Sequence, residues 1–165
     1  MALLQCKRIY SSKTDDEKCK QDANKLYHIG AGNWSAYIEI IYNIFATRSP
    51  RNLNLIYEYY RKLAGKGLLS TVYSEFKGNT GIILETILKG NLDPYSFYAK
   101  RIHDSIITSN YCDLIRNICS KQANGLNKIR HTYKKKYNSD LLNDVQKLYI
   151  KNYNDIICSL IYKAK

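Results

Sequence analysis

Apolar residues recur at helical spacing over most of the chain. The segment "SPRNLNLIYEYYRKLAG" shows the pattern clearly, because Leu53 and Tyr60 lie two helical turns apart on one face. Ser49 has the side chain of a helix N-cap, and Pro50 suits the first helical position, where no backbone N–H is needed. Gly65 is expected to end this helix, since glycine readily adopts the left-handed conformation after a helix C-terminus.

The same reasoning predicts ten helices and no strand. No segment alternates apolar and polar residues with the period of two that a half-buried strand requires. Only two prolines interrupt the chain, so long segments are free to be helical. The expected fold class is therefore all-α. The predicted helices cover residues 15–29, 34–47, 50–64, 68–76, 80–89, 94–106, 110–121, 123–136, 139–147 and 150–163, with Gly90 ending the fifth and Ser139 capping the ninth.

The chain contains an internal repeat. A shift of 73 residues places Leu53 on Leu126 and Tyr60 on Tyr133, and no gap is needed across residues 41–88. Upstream the best shift is 76, so the first copy carries three extra residues. Each copy is predicted to hold five short helices. The predicted organisation is a tail at residues 1–14, a first repeat at 15–92 and a second repeat at 93–165.

The charge balance favours a polyanionic partner. Lysine and arginine number 26 against 14 aspartate and glutamate residues, which gives a formal net charge of +12. Acidic lipid headgroups, nucleic acid and an acidic protein are all partners of this kind. Charge alone does not choose among them.

Cysteine and histidine spacing argues against a zinc site, because the five cysteines and three histidines form no C-x-x-C or H-x-x-x-H motif. The thiols are better interpreted as reduced groups of a cytoplasmic protein. No apolar run reaches the roughly 18 residues that a membrane span needs. If the protein meets a membrane, it is therefore expected at the surface.

Several segments of the first copy together resemble the annexin repeat. They are "DANKLYHIGAGN", "IYNIFATRSPRNL", "YEYYRKLAGKGLLSTVYSEFKG" and "IILETIL". The family repeat is a right-handed superhelix of five helices, so the resemblance implies two annexin-like repeats, half of the usual four. The positions that match the family pattern are Ala23, Leu26, Gly30, Gly32, Arg48, Ser49, Tyr60, Leu68, Leu69 and Glu75.

The resemblance implies a calcium site in the first repeat. Its ligands would be the backbone oxygens of His28, Gly30 and Gly32 and the side chain of Glu75. Calcium takes six to eight oxygen ligands in irregular geometry, and glycines let a loop aim successive carbonyl groups inward. One carboxylate does not neutralise a divalent ion, so a lipid phosphate is expected to complete the coordination shell.

The second repeat lacks both halves of this site. Ile106 and Thr108 fall on the two glycines, and Leu148 falls on Glu75. The second repeat is therefore not expected to bind calcium in the family manner. Residues 97–165 hold 13 basic and 5 acidic residues, and direct contact with anionic lipid is predicted there, through Lys134, Lys135 and Lys136. The alternative is that "YKKKY" is simply a solvated helix face.

Trp34 and Arg48 have more local interpretations. Trp34 follows the glycine loop, and it either packs at the start of the second helix or protrudes toward lipid headgroups, where tryptophan is favoured. We assign Trp34 to the predicted membrane-binding residues. Arg48 resembles an arginine that the family keeps between its second and third helices, and it is interpreted as structural.

These features favour a peripheral, calcium-assisted phospholipid-binding protein that links membranes to each other or to the cytoskeleton. One alternative is a calcium-independent helical scaffold that has lost lipid binding. A basic nucleic-acid-binding module is supported only by the net charge. No catalytic motif is evident, so an enzyme is not expected. Two repeats could form a homodimer, which we prefer, a stand-alone pair or a fragment of a longer chain.

Overall fold

The computed structural model describes residues 14–148 and 153–164, and these residues form ten helices and no strand. The predicted all-α fold class is therefore confirmed. The helices are α1 (Asp16–Ile29), α2 (Ile38–Thr47), α3 (Pro50–Ala64), α4 (Leu68–Glu75), α5 (Gly78–Leu92), α6 (Pro94–Ile107), α7 (Tyr111–Lys121), α8 (Leu126–Tyr137), α9 (Leu141–Gln146) and α10 (Asn154–Lys163).

The chain divides into two compact units, the first ending at Leu92 and the second beginning at Asp93. The first unit holds α1 to α5 and the second holds α6 to α10. Each unit has its own hydrophobic core, built from one face of every helix. Residues that the sequence repeat pairs are buried in both units: Ala23 and Ala99, Leu53 and Leu126, Ile56 and Ile129, Tyr60 and Tyr133, Leu68 and Leu141, and Val72 and Val145.

The start and end of α3 follow the local signals in the sequence. The Ser49 side chain accepts a hydrogen bond from the Asn52 backbone N–H at 3.2 Å, and Pro50 is the first helical residue. Gly65 ends the helix in the left-handed conformation, with φ of 66°. A helix whose caps are encoded within a few residues can be placed accurately without knowledge of its neighbours.

Several helix boundaries differ from the prediction, most of them by one or two residues. Helix α2 begins at Ile38 rather than at residue 34, since the residues before it form turns. Helix α5 continues past Gly90 to Leu92. Helix α8 begins at Leu126 rather than at residue 123. The cap of α9 is Asp140 and not Ser139, whose hydroxyl instead donates a hydrogen bond to Asp144.

Two sequence predictions reach residues outside the described part of the chain. These are the tail at 1–14 and the predicted start of the last helix at residue 150. Helix α10 itself begins at Asn154. Across residues 14–148 and 153–164, no helix has both the length and the apolar character needed to cross a membrane.

Candidate functional site

The loop after α1 carries the two glycines that the sequence singled out. Gly30 has a φ of 74° and Gly32 a φ of 85°, a region that residues with a Cβ adopt only at a cost. The backbone N–H of Gly32 donates to both carboxylate oxygens of Glu75, at 2.8 and 3.0 Å. The contact joins residues 43 positions apart, so the fold brings the loop and the end of α4 together.

The oxygen atoms at this loop suit a hard cation. The carbonyl oxygens of His28, Gly30 and Gly32 accept no hydrogen bond from the described residues. The Glu75 side chain is half-buried at the last residue of α4, beside the loop. Three carbonyl oxygens and one carboxylate are the donor types that calcium prefers, so the residues present fit this ion.

Trp34 is buried at the back of the same loop. Its side chain is only 1% exposed and makes edge-to-face contacts with Tyr60 and Phe76, at ring-centre distances of 6.1 and 6.3 Å. The prediction that Trp34 protrudes toward lipid headgroups is therefore wrong for this structure, and the packing alternative is correct. An indole gains more from a surrounding apolar core than from exposure to water.

This packing gives Trp34 a role that sequence reasoning missed. Phe76 follows Glu75 directly, so Trp34 contacts the element that carries the carboxylate while itself following the glycine loop. Trp34 thereby packs the residues after the glycine loop against the residue that follows Glu75. The sequence did hold a sign of this packing: Trp34 lies two positions after Gly32, and Phe76 lies one position after Glu75.

The equivalent loop of the second unit is built differently. Ser109 adopts a φ of 54°, and the backbone N–H of Asn110 donates to the carbonyl oxygen of Ser105 at 2.9 Å. Helix α9 ends at Gln146, before Leu148. No acidic side chain stands where the first unit has Glu75, so this loop lacks the anionic ligand of the candidate site.

The lysines predicted to meet lipid lie in the last turn of α8. Lys134, Lys135 and Lys136 are all exposed. Lys134 also interacts electrostatically with Asp140, and hydrogen bonds from Arg130 keep the pKa of that carboxyl group low. The structure therefore leaves two of the three lysines without a carboxylate partner among the described residues.

Arg48 has the structural role expected of it. Its guanidinium Nε donates to Asp22 at 2.5 Å, and the Asp22 side chain is 1% exposed. A carboxylate this deeply buried requires a positive partner, because an unpaired buried charge is costly. The pair ties the end of α2 to α1 in the unit that holds the candidate calcium loop.

The comparisons with known proteins agree on one family. No family model matches the chain. The chain is 31% identical to Annexin A8 of Oryctolagus cuniculus over 143 residues, or 86% of this chain and 44% of that protein. It is also 31% identical to Annexin B22 of Schistosoma mansoni over 166 residues, or 96% of this chain and 45% of that protein. The chain thus spans less than half the length of these relatives.

Solved structures of the same family share the fold. A calcium-bound annexin (Sm)1 matches with a TM-score of 0.85 and 27% identity, over 99% of this chain and 50% of that one. A mutant of annexin A8 matches with a TM-score of 0.81 and 28% identity, over 97% of this chain and 51% of that one. The predicted match to the annexin fold is thereby confirmed.

Proposed function

The chain is an annexin-like protein that corresponds to two repeats, about half of an annexin, and on this basis we propose that it binds acidic phospholipid membranes with the help of calcium. Relatives of this family bind calcium and phospholipid, and one of the matching structures is calcium-bound. The proposed association is peripheral, at the cytoplasmic surface of a membrane. The proposed role is binding rather than catalysis.

The observation that carries this proposal is the contact between Gly32 and Glu75. It joins the carboxylate to the loop whose carbonyl oxygens at His28, Gly30 and Gly32 accept no hydrogen bond from the described residues. Bound calcium would supply a positive charge with coordination positions left for lipid phosphate. The chain's own part is to present the oxygens on the loop that precedes the buried Trp34.

The second unit contributes positive charge to the proposed function. Lys134, Lys135 and Lys136 are exposed at the end of α8, and we propose that they meet anionic headgroups without calcium. A basic residue close to an acidic bilayer contributes about 1 kcal/mol. The chain would then hold a membrane through two different chemistries, one in each unit.

Co-sedimentation with phosphatidylserine vesicles tests the calcium-assisted part. The wild type is titrated with calcium, and a parallel series contains a chelator. Glu75→Gln removes the charge but keeps the shape of the side chain. We expect it to raise the calcium concentration for half-maximal binding about tenfold or more, because the carboxylate ligand loses its charge. A tenfold change corresponds to about 1.4 kcal/mol.

Glu58→Gln is the matched control, because Glu58 is an exposed carboxylate on α3 of the same unit. We expect this variant to need the same calcium concentration as the wild type. Equal calcium curves for all three proteins would contradict the proposed site. Sedimentation that no concentration of calcium increases would contradict calcium assistance altogether.

A homodimer and a cytoskeletal partner are further parts of the proposal. Helix α2 supports self-association, because Tyr37 before it and Ile40 within it are neighbours and are 50% and 41% exposed. Analytical ultracentrifugation of the wild type and of Ile40→Lys tests this. A dimer that the substitution does not weaken would argue against a contact through α2. Co-sedimentation with actin filaments tests the cytoskeletal link.

A further inference from the structure

Three lysines of the second unit converge on the start of α6. The Lys121 ammonium lies 4.1 Å from the centre of the Tyr98 ring, and the Lys128 ammonium lies 5.4 Å from the centre of the Tyr95 ring. The two tyrosines are three residues apart and share one face of α6. The Lys136 ammonium lies 3.4 Å from the hydroxyl oxygen of Ser96, in the first turn of the same helix. We call the three lysines and the two tyrosines the lysine–tyrosine surface.

The turn between α7 and α8 builds this surface. Gly125 has a φ of 98°, and a Cβ at that position would lie 3.0 Å from Cε1 of Tyr95. The backbone of the turn therefore lies so close to the tyrosine ring that a side chain at position 125 would have little room. Lys121 ends the helix before the turn, and Lys128 lies in the first helical turn after it. The fold thus fixes both lysines beside adjacent rings.

The lysines of this surface keep their charge uncompensated. Within residues 14–148 and 153–164, no carboxylate pairs with Lys121, Lys128 or Lys136. A tyrosine ring attracts an ammonium group but does not neutralise it. Most carboxylates of the second unit are engaged by other cations, as in the pairs Lys100–Asp104, Arg101–Asp113, Arg116–Asp113, Arg130–Asp140 and Lys147–Asp144.

The first unit differs at the positions equivalent to Tyr98 and Lys121. Under the repeat alignment, Tyr98 corresponds to Asp22 and Lys121 to Arg48. The first unit joins these two groups in an ion pair, with Asp22 buried and Arg48 19% exposed. The second unit replaces the carboxylate by a ring and leaves the cation able to attract an outside anion.

The geometry favours lipid headgroups over nucleic acid as that anion. Single-stranded nucleic acid binds by stacking its bases on open aromatic faces. Here the ammonium of Lys121 covers Tyr98, and Lys128 together with the turn at Gly125 covers Tyr95. Tyrosine and lysine side by side instead suit the headgroup layer, where amphipathic rings and basic groups are both favoured.

We propose that the lysine–tyrosine surface binds the phosphate groups of acidic phospholipids directly, without calcium. The surface lies at the N-terminal end of α6, whereas the loop equivalent to the glycine loop follows the C-terminal end of this 14-residue helix. The two ends are about 20 Å apart. The proposal deepens the lipid-binding function proposed above and rests on it. It shares Lys136 with the lysines at the end of α8 and adds Lys121, Lys128 and the two tyrosines.

Vesicle co-sedimentation in the presence of a chelator tests the proposal. The vesicles contain phosphatidylserine and phosphatidylcholine in equal amounts, and pure phosphatidylcholine serves as the neutral surface. We expect the double variant Lys121→Gln/Lys128→Gln to bind acidic vesicles about thirtyfold more weakly than the wild type, from the contribution of each lysine near an acidic bilayer. Lys121→Arg/Lys128→Arg keeps the charges and is expected to bind like the wild type.

Lys100→Gln/Lys147→Gln is the matched control, because it removes two charges of the same unit that already have carboxylate partners. Equal weakening by both double variants would overturn the proposal in favour of net charge alone. Loss of binding to a single-stranded oligonucleotide, with vesicle binding retained, would overturn it in favour of nucleic acid. Glu75→Gln separates the two proposals, since it should remove only the increase that calcium causes.

Discussion

The two units solve the same packing problem differently where the first helix meets the end of the second. In the first unit Asp22 and Arg48 form an ion pair, with Asp22 almost fully buried. In the second unit Tyr98 and Lys121 occupy the equivalent positions, and the ammonium lies over the ring. The first arrangement cancels a charge inside the unit, whereas the second holds the helices together and leaves the charge available.

The two units also differ in charge at the loops and helix ends that carry the candidate sites. In the first unit the Glu75 carboxylate contacts the glycine loop, and its negative charge suits calcium. The second unit has no carboxylate at that place and carries uncompensated lysines at the start of α6. The two copies therefore share core residues while they differ in charge at these two places.

The largest expected effect comes from removing the tryptophan that anchors the first loop. Trp34→Ala should lower the free energy of unfolding of the first unit by about 3–5 kcal/mol, because a large buried ring is lost. It should also weaken calcium binding, since the loop and Glu75 lose their common anchor. Native-state hydrogen exchange measures the stability of each unit separately, and vesicle co-sedimentation measures the calcium requirement.

Ile107→Ala provides the comparison in the second unit. Ile107 ends α6 just before the equivalent loop and is 70% exposed, so its removal should change stability by about 0.5 kcal/mol or less. If Trp34→Ala and Ile107→Ala lowered the free energy of unfolding of their units by similar amounts, the proposed difference in packing at the two loops would be contradicted. A Trp34→Ala protein with an unchanged calcium requirement would show that Trp34 does not position the site.

A smaller effect is expected from breaking the ion pair of the first unit. Asp22→Ala should destabilise that unit by about 3 kcal/mol, because Arg48 is left without its partner in a largely buried place. Lys121→Met in the second unit should cost only about 1 kcal/mol, the scale of a partly exposed cation–π contact. Hydrogen exchange within each unit again separates the two changes.

The double variant Asp22→Leu/Arg48→Met sharpens this test. Replacing both charges by apolar groups of similar size leaves no unpaired group behind, so the double variant should be more stable than Asp22→Ala. If the double variant and Asp22→Ala were equally stable, the two side chains would stabilise the unit through their packing and not through their charges.

Much of the fold could be predicted because its signals are local. Ser49 and Pro50 start α3 as expected, and the apolar spacing placed ten helices. The start of α8 was missed, because Gly125 takes the left-handed conformation before it and lies near Tyr95, a residue far away in sequence. Ser139 failed as a cap since the neighbouring Asp140 takes that position.

The candidate site was only partly readable from the sequence. Gly30, Gly32 and Glu75 were proposed as one site from the family resemblance and from their joint loss in the second copy, and calcium binding there stays a prediction. The burial of Trp34 was not readable, because a tryptophan beside a loop suits either a core or a headgroup layer. The lysine–tyrosine pairs were missed because their partners lie on three different helices.

The smallest expected effect concerns an ion pair that only the second unit has. Arg130 Nε and Nη2 donate to the two carboxylate oxygens of Asp140 at 2.8 and 2.6 Å, and the first unit has Tyr57 and Gly67 at the equivalent positions. Asp140→Asn keeps a capping side chain but removes the charge. It should lower the free energy of unfolding of the second unit by about 1 kcal/mol at neutral pH, since both side chains are partly exposed.

The pH dependence of this difference identifies its cause. The hydrogen bonds from Arg130 lower the pKa of Asp140 in the folded chain below its ordinary value of 3.8. The contribution of Asp140 is therefore complete above pH 3.8 and is lost as the pH falls through the lower folded value. The wild type and Asp140→Asn should converge in stability in that acidic range. A gap between the wild type and Asp140→Asn that persists unchanged in acid would assign the effect to the shape of the side chain instead of its charge.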